Sequence, residues 1–379
     1  MKPVLKRGPK TLKFMQSRPD GQNHQSGADH HKIHNSVPGI PKLPASTFSH
    51  IFDAYRSRMY SVWPVVDANS LLERLEESEK HGCLDREAYI LATALSAATM
   101  TQLNLAPLRH AALDVDSTFM QEECHRIRNT FNYRDCPSIE GILTSFFLHV
   151  YHAKADNRNA GMMFLQEAIS LARLIQLNVV IPEGVTPDNE DISRQSYDTK
   201  ILYLLLWVSI WETAQIPFGG SKDFNSYEEG LIELATLFAA FDPSLSHRKL
   251  NFDKLETRQL LISIHDNLLG TVHRQYDYDS VQRADFLITK QWMQVLLWQQ
   301  AMKDGLLSSN SDIESFTFLF PSQVARDLLA SIARVSNDEL LPLGRDQIRD
   351  TACLLVNYKL PIITPCAGCQ SFRDHKCAG

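Results

Sequence analysis

The sequence predicts an all-α protein: a large multi-helix domain, its helical hairpins packed as a bundle or solenoid, behind a disordered N-terminal arm. Three observations carry that prediction. Apolar residues recur at helical spacing through most of the 379 residues. The β-branched runs Val179-Val180-Ile181 and Ile362-Ile363-Thr364 are too short to build a sheet. Residues 1–46, rich in Pro, Gly, Asn, Gln, Ser and His, show no periodic apolar positions and cannot bury enough surface to offset chain entropy.

Helical patterning takes over at Thr47, and the helical domain is expected to run over 47–358, followed by an irregular cysteine-containing tail over 359–379. Pro64 stops a first short element. Asp85 is placed to N-cap an Ala-rich helix from Ala88 to Met100. Ser138, behind Pro137, caps the next helix, whose Ile142, Phe146, Phe147, Val150 and Tyr151 form one apolar stripe. In "NAGMMFLQEAISLARLIQLN", 159–178, Met162, Leu165, Ala168, Ile169, Ala172 and Ile175 share one face, with Gln166, Glu167, Ser170 and Arg173 on the other. The polar turn "ADNRN" between these two helices makes them an antiparallel αα-hairpin. Residues 182–191 read as a loop, followed by a tryptophan-bearing stretch to Gln215 that "IPFGG" halts. Later helices are expected over 253–275, 280–304 and about 321–335, and no repeat of fixed period is found.

Composition narrows the function classes. The 44% hydrophobic and 22% charged content is that of a globular protein. The longest apolar run, Ile201 to Trp211, is far short of a membrane span, and the first thirty residues contain no signal-type apolar stretch, so neither membrane nor secretory route is expected. The seven cysteines are therefore read as reduced, with Cys83, Cys124, Cys136 and Cys353 as buried, inert thiols in helical surroundings. Charge is unevenly placed. Residues 1–43 hold eight Lys or Arg against two Asp, +6, which leaves −12 for the rest of a chain of net −6. A basic arm on an acidic body suggests a tether or an address tag, not a body that binds nucleic acid.

Four constellations invite chemistry. His30, His31 and His34 lie in a Gly- and Asn-rich stretch without a third ligand nearby. Cys366, Cys369 and Cys377, with His375, have a zinc-like C-x2-C step but no second one, and a loose cysteine tail is the expectation. Asp114 and Asp116, and Asp277 and Asp279, are the carboxylates a terpene-cyclase-like enzyme would use, but alternate spacing turns successive carboxylates to different sides of a helix. Trp207, Trp211, Phe146 and Tyr151 suit a small-molecule cleft, and at helical spacing they suit a core better. No phosphate loop, nucleophile elbow or H-E-x-x-H helix is present, so no enzymatic activity is expected.

Several segments together resemble one family. "IFDAYRSRMYSVWPVVDANSLLERL", 51–75, resembles the opening helix and W-P-V-V-D turn of the fungal-specific transcription factor domain, the regulatory middle region of zinc binuclear cluster activators. "ILTSFFLHVYHAKADNRNAGMMFLQEAISLARLIQLN", 142–178, resembles that family's helical hairpin, and "LWVSIWETAQ", 206–215, its tryptophan-bearing segment. "ADFLITKQWMQVLLWQQAMKDGLL", 284–307, looks like the regulators of starch and maltose utilisation. Thr213 stands where the family's arginine would follow Glu212, and the closing 21 residues do not look like its further helices.

The resemblance implies an RNA polymerase II regulator of a metabolic or biosynthetic gene set, nuclear, and acting as a homodimer or as a heterodimer with a related activator. Transcription machinery or co-regulators would be its other partners. The family reads DNA through a six-cysteine cluster around two zinc ions. The sequence contains no such cluster, so no cofactor is expected in this chain, and DNA would be reached only through a cluster upstream. "PVLKRGPK", 3–10, looks like the basic linker that follows such a cluster. Lys6, Arg7, Lys10 and Lys13 suit phosphate contact without base reading, or nuclear localisation. Two alternatives stay open: a DNA-free partner of an intact activator, and an all-α enzyme of terpene-cyclase type.

Overall fold

A computed structural model describes residues 43–110, 113–176, 226–241, 254–271, 280–333 and 335–344. The chain divides into a unit of 1–37, outside the described residues, and a unit of 38–379, to which everything below belongs.

The body starts with α1 (Ser46–Ala54), which passes into a π-helical turn, Tyr55–Met59. Phe48, Ile51, Phe52, Tyr55 and Met59 recur every three or four residues and are all buried, so one apolar stripe holds the segment down. The turn leads through Trp63-Pro64 to Asp67, whose carboxylate accepts from the amides of Asn69 and Ser70 at 3.0 and 3.2 Å and so starts α2 (Ala68–His81). Gly82, at φ +62°, ends α2 in a left-handed conformation that costs glycine nothing.

Asp85 accepts from the Ala88 amide at 3.0 Å and caps α3 (Arg86–Leu103), as expected. This helix is the axis of the body. Its small residues Ala92, Ala94, Ala97 and Ala98 are buried, which lets neighbours approach on all sides. A short antiparallel hairpin follows, β1 (Leu108–His110) and β2 (Leu113–Val115). Then come α4 (Ser117–Arg128), α5 (Ile139–Lys154) and α6 (Arg158–Leu174). Ser138 caps α5 by accepting from Gly141 N at 3.1 Å. The expected αα-hairpin of α5 and α6 is present, turning at Asp156 with φ +61°. It closes tightly at Gly161, where an added Cβ would lie 3.4 Å from Ala153 N.

The described chain resumes with α7 (Ser226–Ala240), α8 (Lys254–Gly270) and α9 (Ser280–Lys303). A 3₁₀ turn, Glu314–Phe316, leads to α10 (Phe320–Ile332) and the short α11 (Asn337–Leu340), which Ser336 and Glu339 start with a capping box. The main core runs from Leu43 to Phe316, and a second cluster, including Val281, Ile288, Trp298, Phe320 and Val324, seals α9 against α10. Trp298 completes that seal by donating its indole N–H to Thr317 O at 2.9 Å. The all-α expectation therefore holds. Among the described residues no helix is long and apolar enough to cross a membrane.

Three details depart from the sequence reading. Asp114 lies on β2 and Asp116 caps α4, accepting from Phe119 N at 2.7 Å, so the pair is not on a helix at all. Met162 is exposed, at the edge of the face of Leu165, Ala168, Ile169, Leu171 and Ala172 through which α6 is buried. Cys83 and Cys136 are exposed, lying in connections between helices, and only Cys124 of the described cysteines is buried.

Candidate functional site

Two of the segments that carry the family resemblance, 51–75 and 142–178, meet in the fold through their described residues. Trp63, of the W-P-V-V-D turn, packs edge-on against Phe146 and Phe147 of α5, with ring centroids 5.9 and 6.2 Å apart. Tyr55 adds an edge contact to Phe147 and donates its hydroxyl to Trp63 O at 2.6 Å. Burial holds that phenol far above its ordinary pKa, so it remains a donor. Phe146 and Tyr151 are core residues, the more conservative of their two readings.

The most concentrated polar chemistry lies where α4, α5 and α6 meet. Arg128, the last residue of α4, is 1% exposed although it is charged. Its Nη2 donates to Ser145 Oγ on α5 at 2.6 Å, and its Nη1 lies 3.4 Å from Glu167 Oε2 on α6. The guanidinium carbon stacks 3.8 Å over the ring of Tyr133. Tyr133 in turn donates to Glu167 Oε1 at 2.6 Å, and Arg134 donates to the same oxygen at 3.1 Å. Burial, with the bond to Glu167, pushes the Tyr133 phenol up to about 12. A carboxylate shared by two arginines and a tyrosine fixes the α4–α5 connection against α6.

Three imidazoles flank this network. His125 on α4 and His152 on α5 both contact Phe164 of α6, with centroids 5.4 and 5.3 Å away, and His152 lies parallel to the phenyl ring at 3°. His149 places Nδ1 3.0 Å from Gly161 O, as the donor when Nδ1 carries the proton. Burial lowers the basicity of all three. His125 is lowered further by Arg128 and His152, with Glu167 opposing. For His149 the Gly161 bond opposes the effect of burial.

On the other side of α4, Glu123 accepts from Tyr89 Oη of α3 at 2.9 Å and from Arg126 at 2.6 and 2.7 Å. Tyr89 Oη itself accepts from Leu43 N at 3.3 Å, tying the start of the body to α3 and α4. Next to it the Cys124 thiol is pushed up to about 11 by burial, which keeps it protonated and inert. Nearer the surface, Arg74 of α2 bridges Asp85 and Glu140, each at 2.9 Å.

Chemically these groups orient helices; none of them pairs a nucleophile with a base. Among the described residues no group of three or more His, Cys, Asp or Glu is arranged to hold a metal ion. Lys6, Arg7, Lys10, Lys13, His30, His31, His34, Trp207, Trp211, Asp277, Asp279 and the cysteine tail with His375 all lie outside the described residues. Sequence reasoning missed Arg128, Tyr133, Ser145 and Glu167 as a unit. The available signal was Arg128 one step beyond the apolar series Met120, Cys124, Ile127, a charge on a face that must be buried.

The chain is similar to the probable sucrose utilization protein SUC1 of Candida albicans, 26% identical over 321 residues, or 78% of this chain and 60% of that protein. It is 23% identical over 362 residues to the respiratory transcription factor ZNF1 of Saccharomyces cerevisiae, covering 87% of this chain and 71% of that one. It is likewise 23% identical over 364 residues to the maltose fermentation regulatory protein MAL63 of Saccharomyces cerevisiae, with the same coverages. The chain thus spans about three fifths of the length of the first of these relatives. No family model matches it, and no solved structure matches it significantly. The resemblance to fungal transcription regulators read from the sequence is borne out: two of these relatives are named as a transcription factor and a regulatory protein, at modest identity over most of the chain.

Proposed function

We propose that this chain is a regulatory domain of a fungal transcription regulator that controls genes for the use of a sugar or a related carbon source. The observation that carries the reading is similarity, over 78–87% of the chain, to a fungal sucrose utilization protein, a respiratory transcription factor and a maltose fermentation regulatory protein. The helical body of 47–358 is its interaction part, silent or active according to an inducer, and it performs no catalysis. It acts in the nucleus as a homodimer or a heterodimer with a related activator and contacts co-regulators or the transcription machinery. DNA is reached through a zinc cluster, the one place where zinc enters the account. Lys6, Arg7, Lys10 and Lys13 serve nuclear entry or phosphate contact.

Fusing the full chain to a heterologous DNA-binding domain in yeast tests the reading. A reporter downstream of the tethering site is expected to change when glucose is replaced by maltose or sucrose. A reporter indifferent to the chain in every sugar contradicts it, as would turnover of a prenyl diphosphate by the purified chain. In a fluorescent fusion, replacing Lys6, Arg7, Lys10 and Lys13 by alanine is expected to shift the signal from nucleus to cytoplasm. An unchanged nuclear signal removes the role assigned to the arm.

A further inference from the structure

We propose that the junction of α4, α5 and α6 is a proton-operated latch, in which His125 and His152 hold α6 in place while neutral and release it when protonated. The geometry at His152 carries this. Its Nδ1 is buried and has no hydrogen-bond partner among the described residues, while its ring stacks in parallel on Phe164 of α6. A neutral imidazole with its proton on Nε2 tolerates this, because Nδ1 then offers only a lone pair. Protonation places a charged N–H there without an acceptor, an uncompensated buried donor.

The same Phe164 is held from α4 by His125, so two of the imidazoles grip one ring of α6, while the third, His149, can donate to Gly161 O in either charge state. Among the described residues, the charged and titratable groups facing them leave an added proton poorly served. From α4 comes Arg128, which repels it. From α5 come the other imidazoles and the ring of Tyr151, 5.0 Å from that of His152. From α6 comes Glu167, already shared by Arg128, Tyr133 and Arg134. Behind them, α3 meets α4 through Tyr89 and Glu123. All three imidazoles are half-buried, so protons reach them from solvent.

The sign follows from burial, which lowers the folded-state basicity of all three. The grip is then complete above about pH 6.5, the ordinary histidine value, and is lost as pH falls below it, because the released state takes up more protons. Each such imidazole raises the opening constant by up to about tenfold per pH unit over that window.

The test is urea unfolding of the full chain between pH 8 and pH 5, with hydrogen exchange of 158–174 corrected for its intrinsic pH dependence. In the unmodified chain the opening of α6 is expected to increase below pH 6.5 ahead of that of α3. The double variant His125→Gln, His152→Gln, neutral at every pH, is expected to flatten the curve by up to about a hundredfold per pH unit. Equal slopes for the two proteins overturn the proposal. If the double variant does not fold, the imidazole resonances of the unmodified chain decide. Midpoints below the ordinary value, with α6 exchange rising alongside, support the latch, and midpoints at about 6.5 or a pH-indifferent α6 overturn it.

Discussion

At Arg128 a guanidinium leaves water at the end of α4 and is repaid by Ser145, Glu167 and the face of Tyr133. Its substitution by Met keeps most of the volume but removes a cation around which three elements are arranged. The expected loss is about 2–3 kcal/mol in chemical denaturation, below the usual range for breaking a buried pair because Glu167 keeps Tyr133 and Arg134. Arg128→Lys should recover less than half of that, since an ammonium cannot stack on Tyr133 and reach both acceptors at once. A lysine variant as stable as the native chain would mean that charge alone matters there. Such residues are hard to read from sequence. Glu167 has the helical spacing of a solvent face, and its value comes from Tyr133 and Arg134, which approach from a connection with no periodicity to announce it.

Among the elements, the clearest contest is at Gly230 in α7. Helix propensity alone says that Gly230→Ala should stabilise by about 1 kcal/mol. The packing says otherwise, because the new Cβ would lie 2.5–2.6 Å from the carboxamide of Gln282 on α9, which donates to Tyr227 O at 2.8 Å. The expected result is a net loss of about 1–2 kcal/mol from overpacking, with the second change Gln282→Ala recovering most of it in a double-mutant cycle. A stabilised single variant would show that α7 and α9 are less tightly apposed than described. At the other end, Asp85→Ala removes the α3 cap and one anchor of Arg74, for an expected loss of about 1–2 kcal/mol in the same assay.

The caps at Asp85 and Ser138 and the α5–α6 hairpin were legible in the sequence because each rests on contacts only a few residues apart. Helix α4 was not, since Glu123 and Arg128 interrupt its apolar face and are satisfied by distant partners. The hairpin of β1 and β2 was also missed: three residues per strand is too short for a period-two signal to stand out. The exposure of Met162 depends on which face α5 offers, and sequence spacing alone does not state that.

For the whole molecule, Gln102 links the axis to the far end of the described chain. From α3 its carboxamide donates to Leu341 O and Pro342 O, both at 3.2 Å, across some 240 residues. Gln102→Ala leaves these two carbonyls without that donor, so hydrogen exchange over 336–344 should rise severalfold while 139–174 stays as it was. A uniform rise would instead mean that α3 itself had loosened. A helical body tied together over such distances, with an acidic surface charge and no catalytic grouping among its described residues, suits a part that transmits a state.

In the proposed function it transmits that state to transcription. The most direct test deletes the gene for this chain in its own host and follows all transcripts through a shift from glucose to maltose or sucrose. A defined set of sugar-uptake and sugar-hydrolysis transcripts is expected to fail to change on the shift, and the intact gene to restore the response. An unaltered transcript profile across the shift would contradict it.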